Sequence, residues 1–154
     1  MTLTLKQKID DFVAVSTAGE FRLSAHRGRI VVLYFYPKDS TPGCTVEGQE
    51  FALEHGKFEH AGARVVGVSR DSLKSHQNFK AKLALPFELI ADVDEALCGQ
   101  FDVIKQKTMY GKPVRGIERS TFVIDGAGKL AAQWRGVKVA GHVSEVLAFV
   151  ESLK

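Results

Sequence analysis

Residues 30–44 read IVVLYFYPKDSTPGC, and the architecture of the chain is built around them. The first seven, residues 30–36, are all apolar and rich in β-branched and aromatic side chains. Such a run is typical of a strand covered on both faces, as in a sheet with helices on either side. Residues 37–43 hold two prolines and a glycine and predict a loop, and apolar side chains recur at helical spacing over residues 45–61. We therefore predict a buried strand, a loop and a helix in direct succession.

The same alternation of strands and helices continues along the chain. Two short strands around Thr17-Ala18-Gly19 predict an N-terminal β-hairpin, and residues 125–128, DGAG, predict the turn of a second hairpin. This order predicts an α/β protein with a central mixed sheet flanked by helices. The predicted strands are 11–16, 20–23, 30–36, 64–69, 87–91, 120–124 and 129–135, and the later helices are one capped by Asp71, one at 94–101 and one at 141–153.

Residues 105–118, KQKTMYGKPVRGIE, show neither the helical nor the strand period. The segment is polar, and Gly111, Pro113 and Gly116 interrupt it. A long loop in a small domain often has a function. We therefore expect residues 105–118 to form a long, functionally relevant loop.

Length and composition indicate a single globular domain over residues 1–154, since a typical domain has roughly 150 residues. Apolar residues make up 45% of the chain and charged residues 25%, as in proteins that fold without disulfides or a structural metal. The dispersed net charge of +3 predicts no nucleic-acid partner. No apolar run approaches the ~20 residues of a membrane span, and no secretory signal is recognisable, so we expect a cytoplasmic protein with free thiols.

Cys44 follows the predicted buried strand at the start of a predicted helix. Unpaired amides and the positive end of the helix dipole favour an anion in the first helical turn, and a thiolate is such an anion. A helix terminus contributes only roughly 0.3–2 kcal/mol, less than full activation of a thiol requires. The position of Cys44 therefore predicts a reactive thiol with a further donor or cation nearby.

Three other residues are candidates to act with Cys44. Thr41 lies across the loop from it, with a hydroxyl that can face the sulfur or a substrate. Arg119 directly precedes the strand at 120–124, and sites in α/β proteins form at sheet ends beside strand-to-helix loops. Glu47 falls on the apolar face of its helix, where a carboxylate needs a cation, so we expect Glu47 to pair with an arginine.

Pro37, Thr41 and Cys44 match the P-x-x-x-T-x-x-C signature of the peroxiredoxins. Beyond this motif, VVLYFYPKDSTPGCTVEGQEF, SRDSLKSHQNF, LPFELIADVDE and GIERSTFVID resemble successive blocks of the bacterioferritin-comigratory or Q-type subfamily. The resemblance extends from about residue 11 to the final helix. It implies a thioredoxin-like fold and a thiol-dependent peroxidase that uses no metal, haem or other cofactor.

The resemblance also implies a role for each matching residue. Cys44 is the peroxidatic nucleophile, which becomes a sulfenic acid. Thr41 orients the peroxide, and Arg119 activates the thiolate. Pro37 shields the sulfur, and Glu47 corresponds to the acidic residue that the family keeps beside the arginine.

The implied reaction reduces hydrogen peroxide and organic hydroperoxides. Arg119, Thr41 and the amides of Gly43 and Cys44 are suited to stabilise the charge that develops on the departing oxygen. The implied reductant is an external thiol such as thioredoxin, glutaredoxin or glutathione. Family resemblance further suggests a monomer or weak dimer.

The chain departs from the subfamily at position 49, where many members carry a resolving cysteine and this chain has Gln49. Cys98 is the only other cysteine. It is either a resolving residue, reached after local unfolding of the turn that follows Cys44, or a small apolar side chain in the core. The missing cysteine favours a one-cysteine cycle with an external thiol, while a two-cysteine cycle through Cys98 stays open.

Other functions are less consistent with the sequence. A thiol-disulfide oxidoreductase uses a C-x-x-C pair, and Thr41 occupies the position of its first cysteine. The cysteines and histidines show no metal-ligand spacing, so no metal site is predicted. His76 is expected to be a hydrogen-bonded packing residue. The alternative that stays open is a redox sensor or stress chaperone that oxidation of Cys44 switches.

Overall fold

The structure is a computed structural model that describes residues 3–153 of the chain. Within this range there are nine strands and five α-helices, together with a short 3-10 helix at Leu23–His26. The strands are β1 (Val13–Ser16), β2 (Gly19–Arg22), β3 (Ile30–Phe35), β4 (Ala63–Ser69), β5 (Glu88–Ala91), β6 (Ile104–Met109), β7 (Lys112–Ile117), β8 (Ser120–Ile124) and β9 (Leu130–Arg135). The helices are α1 (Pro42–Leu53), α2 (His55–His60), α3 (Leu73–Leu83), α4 (Ala96–Gln100) and α5 (His142–Ser152).

Seven strands form one mixed sheet in the order β2-β1-β5-β4-β3-β8-β9. β3 lies inside this sheet, parallel to β4 and antiparallel to β8. β1 and β2 form the N-terminal hairpin, and β8 and β9 form the second one. The predicted α/β class, with a central mixed sheet and an N-terminal hairpin, is confirmed. Among residues 3–153, no helix combines the length and apolar character that crossing a membrane requires.

The sheet separates two hydrophobic cores. Successive side chains of a strand point to opposite faces, so Val32 and Tyr34 belong to one core and Val31 and Leu33 to the other. The first core, which we call the front core, also receives buried side chains from α1, α2, α3 and α5. The second, the back core, receives side chains from α4 and from residues before β1. Burial on both faces explains the continuous apolar run of β3.

The helix predicted over residues 45–61 differs from the observed one at both its start and its middle. It begins at Pro42, because proline is suited to the first helical turn, and it breaks at Glu54 into α1 and α2. Glu54 has φ −93° and ψ 5°, outside regular helix geometry. Phe51 and Phe58 are fully buried on either side of the break, so the apolar period alone does not reveal it.

The predicted cap of α3 is wrong by one residue. Ser72 is the N-cap, and its side chain accepts a hydrogen bond from the amide of Ser75. Asp71 instead accepts hydrogen bonds from the Ser69 hydroxyl and from the amide of Asp39, in the loop before α1.

The long loop predicted over residues 105–118 is also wrong, because β6 and β7 form an antiparallel hairpin there. Tyr110 and Gly111 make its two-residue turn, both with positive φ, at 51° and 76°. Two positive φ values are what a tight hairpin turn requires. Lys112 to Arg115 are exposed, so the apolar alternation that identifies a half-buried strand is absent.

Candidate active site

Cys44 is the third residue of α1, just after the loop that follows β3. The residue is only 2% exposed and belongs to the front core. Within the described part of the chain, the amides of Gly43 and Cys44 have no hydrogen-bond acceptor, whereas the amide of Thr45 donates to the Thr41 carbonyl. The first turn of α1 therefore presents two free N–H donors, as the sequence predicts for an anion-stabilising helix terminus.

Arg119 reaches Cys44 from the neighbouring strand. It directly precedes β8, and the antiparallel pairing places Ser120 opposite Phe35 at the end of β3. This register brings Arg119 to the loop that carries the cysteine. Its Nη2 group donates a hydrogen bond to Cys44 Sγ at 3.5 Å. The structure thus brings together two predicted site residues that are distant in the sequence.

Glu47 lies one helical turn after Cys44 and holds the same guanidinium. Its Oε1 accepts a hydrogen bond from Arg119 Nη1 at 2.5 Å, and the residue has no exposed surface. Burial raises the pKa of the Glu47 carboxyl to about 7, against the opposing effect of Arg119. Burial alone would lower the pKa of Arg119, but the charges of Glu47 and Cys44 raise it, so the guanidinium stays protonated. The predicted pair is present and fixes a cation beside the sulfur.

Gly43 allows the close approach of Arg119 to the helix terminus. A Cβ atom at position 43 would lie 3.1 Å from Arg119 Nη2, closer than ordinary carbon–nitrogen contacts. An added Cβ would therefore require the guanidinium to shift by a few tenths of an ångström beside Cys44. Gly43 supports the site through the space that it leaves open.

Thr41 and Pro37 lie in the loop that leads into α1. Thr41 is the N-cap residue of α1, and its hydroxyl donates to the Lys38 carbonyl at 2.7 Å instead of pointing its proton at the sulfur. The lone pairs of this oxygen are therefore the part of Thr41 that can meet a substrate. Pro37 is exposed at the start of the loop, and its shielding of Cys44 stays a prediction.

Cys98 lies far from this arrangement in the architecture. It belongs to α4 and to the back core, whereas Cys44 belongs to the front core, on the other face of the sheet. Cys98 is fully buried. Burial, with Asp92 as hydrogen-bond partner and neighbouring charge, raises the pKa of the Cys98 thiol far above its ordinary value. Such a thiol is a poor source of thiolate at neutral pH.

A buried polar network supports the loop before α1, and the sequence did not reveal it. Asp39 Oδ1 accepts from the Tyr36 hydroxyl at 2.6 Å, and Asp39 Oδ2 lies 2.8 Å from His76 Nδ1 and from Ser75 Oγ. His76 is hydrogen-bonded and buried, as its helix face predicts. Its partner Asp39 is 37 positions away, and no periodicity connects two such residues.

Asp39, Asp71 and His76 bring one potential metal-ligand atom each within 4.8 Å of one another. All three side chains are already engaged in hydrogen bonds inside the protein. A cavity of about 680 Å³ lies elsewhere, lined by His26, His55 and other residues, and Cys44 does not line it.

A thiol at a helix N-terminus, contacted by a partly buried arginine at the start of an inner strand of the sheet, defines a thiol-based redox protein. The AhpC/TSA family model matches residues 5–133. A peroxiredoxin Bcp of Xanthomonas campestris is 54% identical over 140 residues, covering 91% of this chain and 88% of the relative. A peroxiredoxin Bcp of Bacillus subtilis is 46% identical over 154 residues, covering 99% and 98%.

Solved structures give the same result for the fold. A structure of Xylella fastidiosa PrxQ has a TM-score of 0.94 and 43% identity, covering 99% of this chain and 98% of that one. A structure of the Xanthomonas campestris bacterioferritin comigratory protein, described in terms of its alkyl peroxide reduction activity and a trapped intermediate/ligand complex, has a TM-score of 0.88 and 52% identity over 92% and 91%. The predicted thioredoxin-like fold is confirmed. The chain belongs to the AhpC/TSA family, among the peroxiredoxins of the Bcp or Q type.

Proposed function

We propose that the protein is a thiol-dependent peroxidase that reduces hydrogen peroxide and organic hydroperoxides to water and alcohols, with Cys44 as the nucleophile. The observation that carries this proposal is the 3.5 Å hydrogen bond from Arg119 Nη2 to Cys44 Sγ at a helix N-terminus. The relatives named peroxiredoxin support the reaction type. The alkyl peroxide reduction described for the Xanthomonas protein supports organic hydroperoxides as substrates.

The reaction follows from the charges that the site can stabilise. The Cys44 thiolate attacks the terminal peroxide oxygen, a sulfur–oxygen bond forms, and the oxygen–oxygen bond breaks. The bonding electron pair leaves with the distal oxygen, which takes up a proton to become water or an alcohol, and Cys44 becomes a sulfenic acid. Arg119 and the free amides of Gly43 and Cys44 are preorganised donors for the charge that develops on that oxygen. The Thr41 oxygen accepts the peroxide O–H.

We propose a one-cysteine cycle in which an external thiol attacks the sulfenic acid. This step releases water and forms a mixed disulfide, and a second thiol then restores the Cys44 thiol. A disulfide requires Cα atoms within about 7 Å, and Cys98 lies in the core on the opposite face of the sheet. We therefore assign Cys98 a packing role. Gln49 offers no thiol either.

Thioredoxin, glutaredoxin and glutathione are the proposed reductants, because each supplies the thiol that this cycle needs. Cys44 has to be kept reduced between turnovers, which favours a reducing compartment, and we propose the cytoplasm. The single domain over residues 1–154 and the monomeric or weakly dimeric state stay predictions.

Sustained peroxide consumption tests the proposed function. Wild type and Cys44→Ser are given hydrogen peroxide with excess glutathione, or with a thioredoxin system, and peroxide loss is followed over many equivalents. We expect turnover by wild type with at least one donor and none by Cys44→Ser. Consumption at the wild-type rate by Cys44→Ser would overturn the assignment of Cys44. A single equivalent consumed with every donor would instead indicate a redox sensor.

A further inference from the structure

Asp39 and His76 form a buried hydrogen-bonded pair between the loop before α1 and helix α3. Asp39 is 5% exposed, and His76 has no exposed surface. His76 Nδ1 lies 2.8 Å from Asp39 Oδ2, and His76 Nε2 lies 2.9 Å from the carbonyl oxygen of Ile90. No atom of this pair takes part in the peroxide reaction described above, so its position in the fold needs another explanation.

The ring of His76 bridges two oxygen atoms that are distant in the sequence. Its Nδ1 atom faces Asp39 Oδ2, and its Nε2 atom faces the carbonyl oxygen of Ile90. The hydroxyls of Tyr36 and Ser69 also lie near the ring, but each donates its proton to a carboxylate. The imidazole thus links the Asp39 carboxylate, in the loop before α1, to the carbonyl oxygen of Ile90 in β5.

The loop that this pair anchors has an unfavourable backbone conformation. Ser40 has a positive φ of 63°, in the left-handed region that residues other than glycine rarely adopt. Such a conformation costs roughly 1–2 kcal/mol, so contacts from outside the loop have to maintain it. Asp39, the preceding residue, supplies these contacts to α3.

The peptide group between Lys38 and Asp39 links the anchor to Thr41. Its N–H donates to Asp71 Oδ2 at 2.9 Å, and its carbonyl accepts the Thr41 hydroxyl at 2.7 Å. Because a peptide group is planar, fixing its N–H also fixes the direction of its carbonyl. The carbonyl in turn determines where the Thr41 proton points, and hence which lone pairs of the Thr41 oxygen are free.

We propose that Asp39 and His76, with Asp71, are positioning residues that aim the Thr41 oxygen at the peroxide. They act through the Lys38–Asp39 peptide and touch neither substrate nor sulfur. The proposal rests on the proposed function, since it assigns Thr41 the role of accepting the peroxide O–H. It predicts a defect in the reaction with peroxide that leaves the intrinsic reactivity of the Cys44 thiolate in place.

Two reactions of Cys44 separate positioning from general damage. The first is single-turnover oxidation by hydrogen peroxide, which needs Thr41, and the second is alkylation by iodoacetamide, which needs only the thiolate. In His76→Gln, we expect the peroxide rate constant to fall by about tenfold or more and the alkylation rate to stay within about twofold of wild type. Asp39→Asn, which keeps the shape of the side chain and removes its charge, should show the same lowered peroxide rate constant and the same unchanged alkylation rate.

Thr41→Val provides the reference and His55→Gln the control. Thr41→Val should lower the peroxide rate constant and leave the alkylation rate unchanged. The double variant, His76→Gln with Thr41→Val, should react with peroxide no more slowly than Thr41→Val alone, because both changes remove the same function. His55 lies on α2, pairs with Glu59 and lines a cavity that Cys44 does not line, so His55→Gln should leave both rates unchanged.

Each outcome either supports or overturns the positioning role of Asp39 and His76. Equal loss of the peroxide and alkylation rates in His76→Gln and Asp39→Asn would overturn the proposal and indicate a general structural role. Unchanged peroxide rates, or additive effects in the double variant, would overturn it too. If His76→Gln does not fold, Asp39→Asn with its circular-dichroism spectrum supplies the comparison. Failure of wild-type Cys44 to react with peroxide would contradict the proposed function itself, which is a separate result.

Discussion

Cys44 and Cys98 lie on opposite faces of one β-sheet, Cys44 in the core covered by α1 and Cys98 in the core covered by α4. Both residues are buried, at 2% and 0% exposure. Residues of the sheet therefore separate the two sulfur atoms, and local unfolding of the first turn of α1 does not remove the sheet between them. This relationship supports the proposed cycle, which uses one cysteine and an external thiol.

Removal of Cys98 should leave catalysis in place. In Cys98→Ala, we expect turnover with an external thiol within about twofold of wild type and a free energy of unfolding lower by roughly 1 kcal/mol, because a buried sulfur is lost. Steady-state peroxide consumption and urea unfolding measure the two effects. Loss of turnover in a folded Cys98→Ala protein would mean that Cys98 takes part in the cycle.

Replacement of Arg119 should slow the attack on peroxide. Arg119→Lys keeps the charge but cannot hold both Glu47 and the Cys44 sulfur with a planar, forked group. We expect the rate constant of Cys44 oxidation to fall by roughly 100- to 1000-fold, the usual effect of losing a preorganised donor. The matched control is Arg115→Lys at an exposed pair with Glu95, where no change in rate is expected. Equal rates for wild type and Arg119→Lys would show that the guanidinium is dispensable.

Two glycine-to-alanine changes in helices distinguish the effect of steric crowding at the site from the effect of helix propensity. Gly43→Ala should displace the Arg119 guanidinium, which lies 3.1 Å from the added Cβ position, and lower the oxidation rate by about tenfold. At Gly56 in α2 a Cβ would meet nothing within 4 Å. Gly56→Ala should therefore keep the wild-type rate and raise the free energy of unfolding by up to about 1 kcal/mol. A wild-type rate in Gly43→Ala would contradict the tight approach of Arg119.

The buried Glu47 should make stability depend on pH. Its pKa is raised to about 7 in the folded protein from an ordinary value of 4.5, so between these pH values the folded state holds a proton that the unfolded state releases. The contribution of Glu47 to the free energy of unfolding is therefore largest below pH 4.5 and is lost as the pH rises through 7, by up to roughly 3 kcal/mol.

Urea unfolding of wild type and Glu47→Gln between pH 4.5 and 8 isolates this effect, because the other titrating groups are shared. The difference in free energy of unfolding, wild type minus variant, should fall as the pH rises. A difference that is constant or increases with pH would mean that the Glu47 carboxyl is ionised throughout. Glu151→Gln, at an exposed position of α5, should show no such trend.

The sequence predicted those parts of the protein that have a strong local pattern. The apolar run of β3 is buried on both faces, and the proline-glycine loop before Cys44 leads into a helix as expected. The pairing of Glu47 with Arg119 followed from the high energy of an unpaired buried carboxylate. These inferences needed only neighbours in the chain, a residue's polarity, or the family resemblance.

Other features depend on contacts between distant residues and were missed. The β6–β7 hairpin exposes much of its surface, so Lys112 and Arg115 give no alternation to detect. Asp71 has the residue type of a helix cap, yet it binds the amide of Asp39 from another loop. The Asp39–His76 pair likewise exists only because the fold brings the loop after β3 against α3.

Intact mass spectrometry after one equivalent of hydrogen peroxide, without added thiol, tests the central role of Cys44 most directly. We predict that reduced wild-type protein gains one oxygen atom, that the same gain occurs in Cys98→Ala, and that it is absent in Cys44→Ser. Trapping with dimedone should place the oxidised sulfur at Cys44. Loss of two hydrogens within one chain would contradict the one-cysteine cycle, and an oxygen gain that persists in Cys44→Ser would contradict Cys44 as the nucleophile.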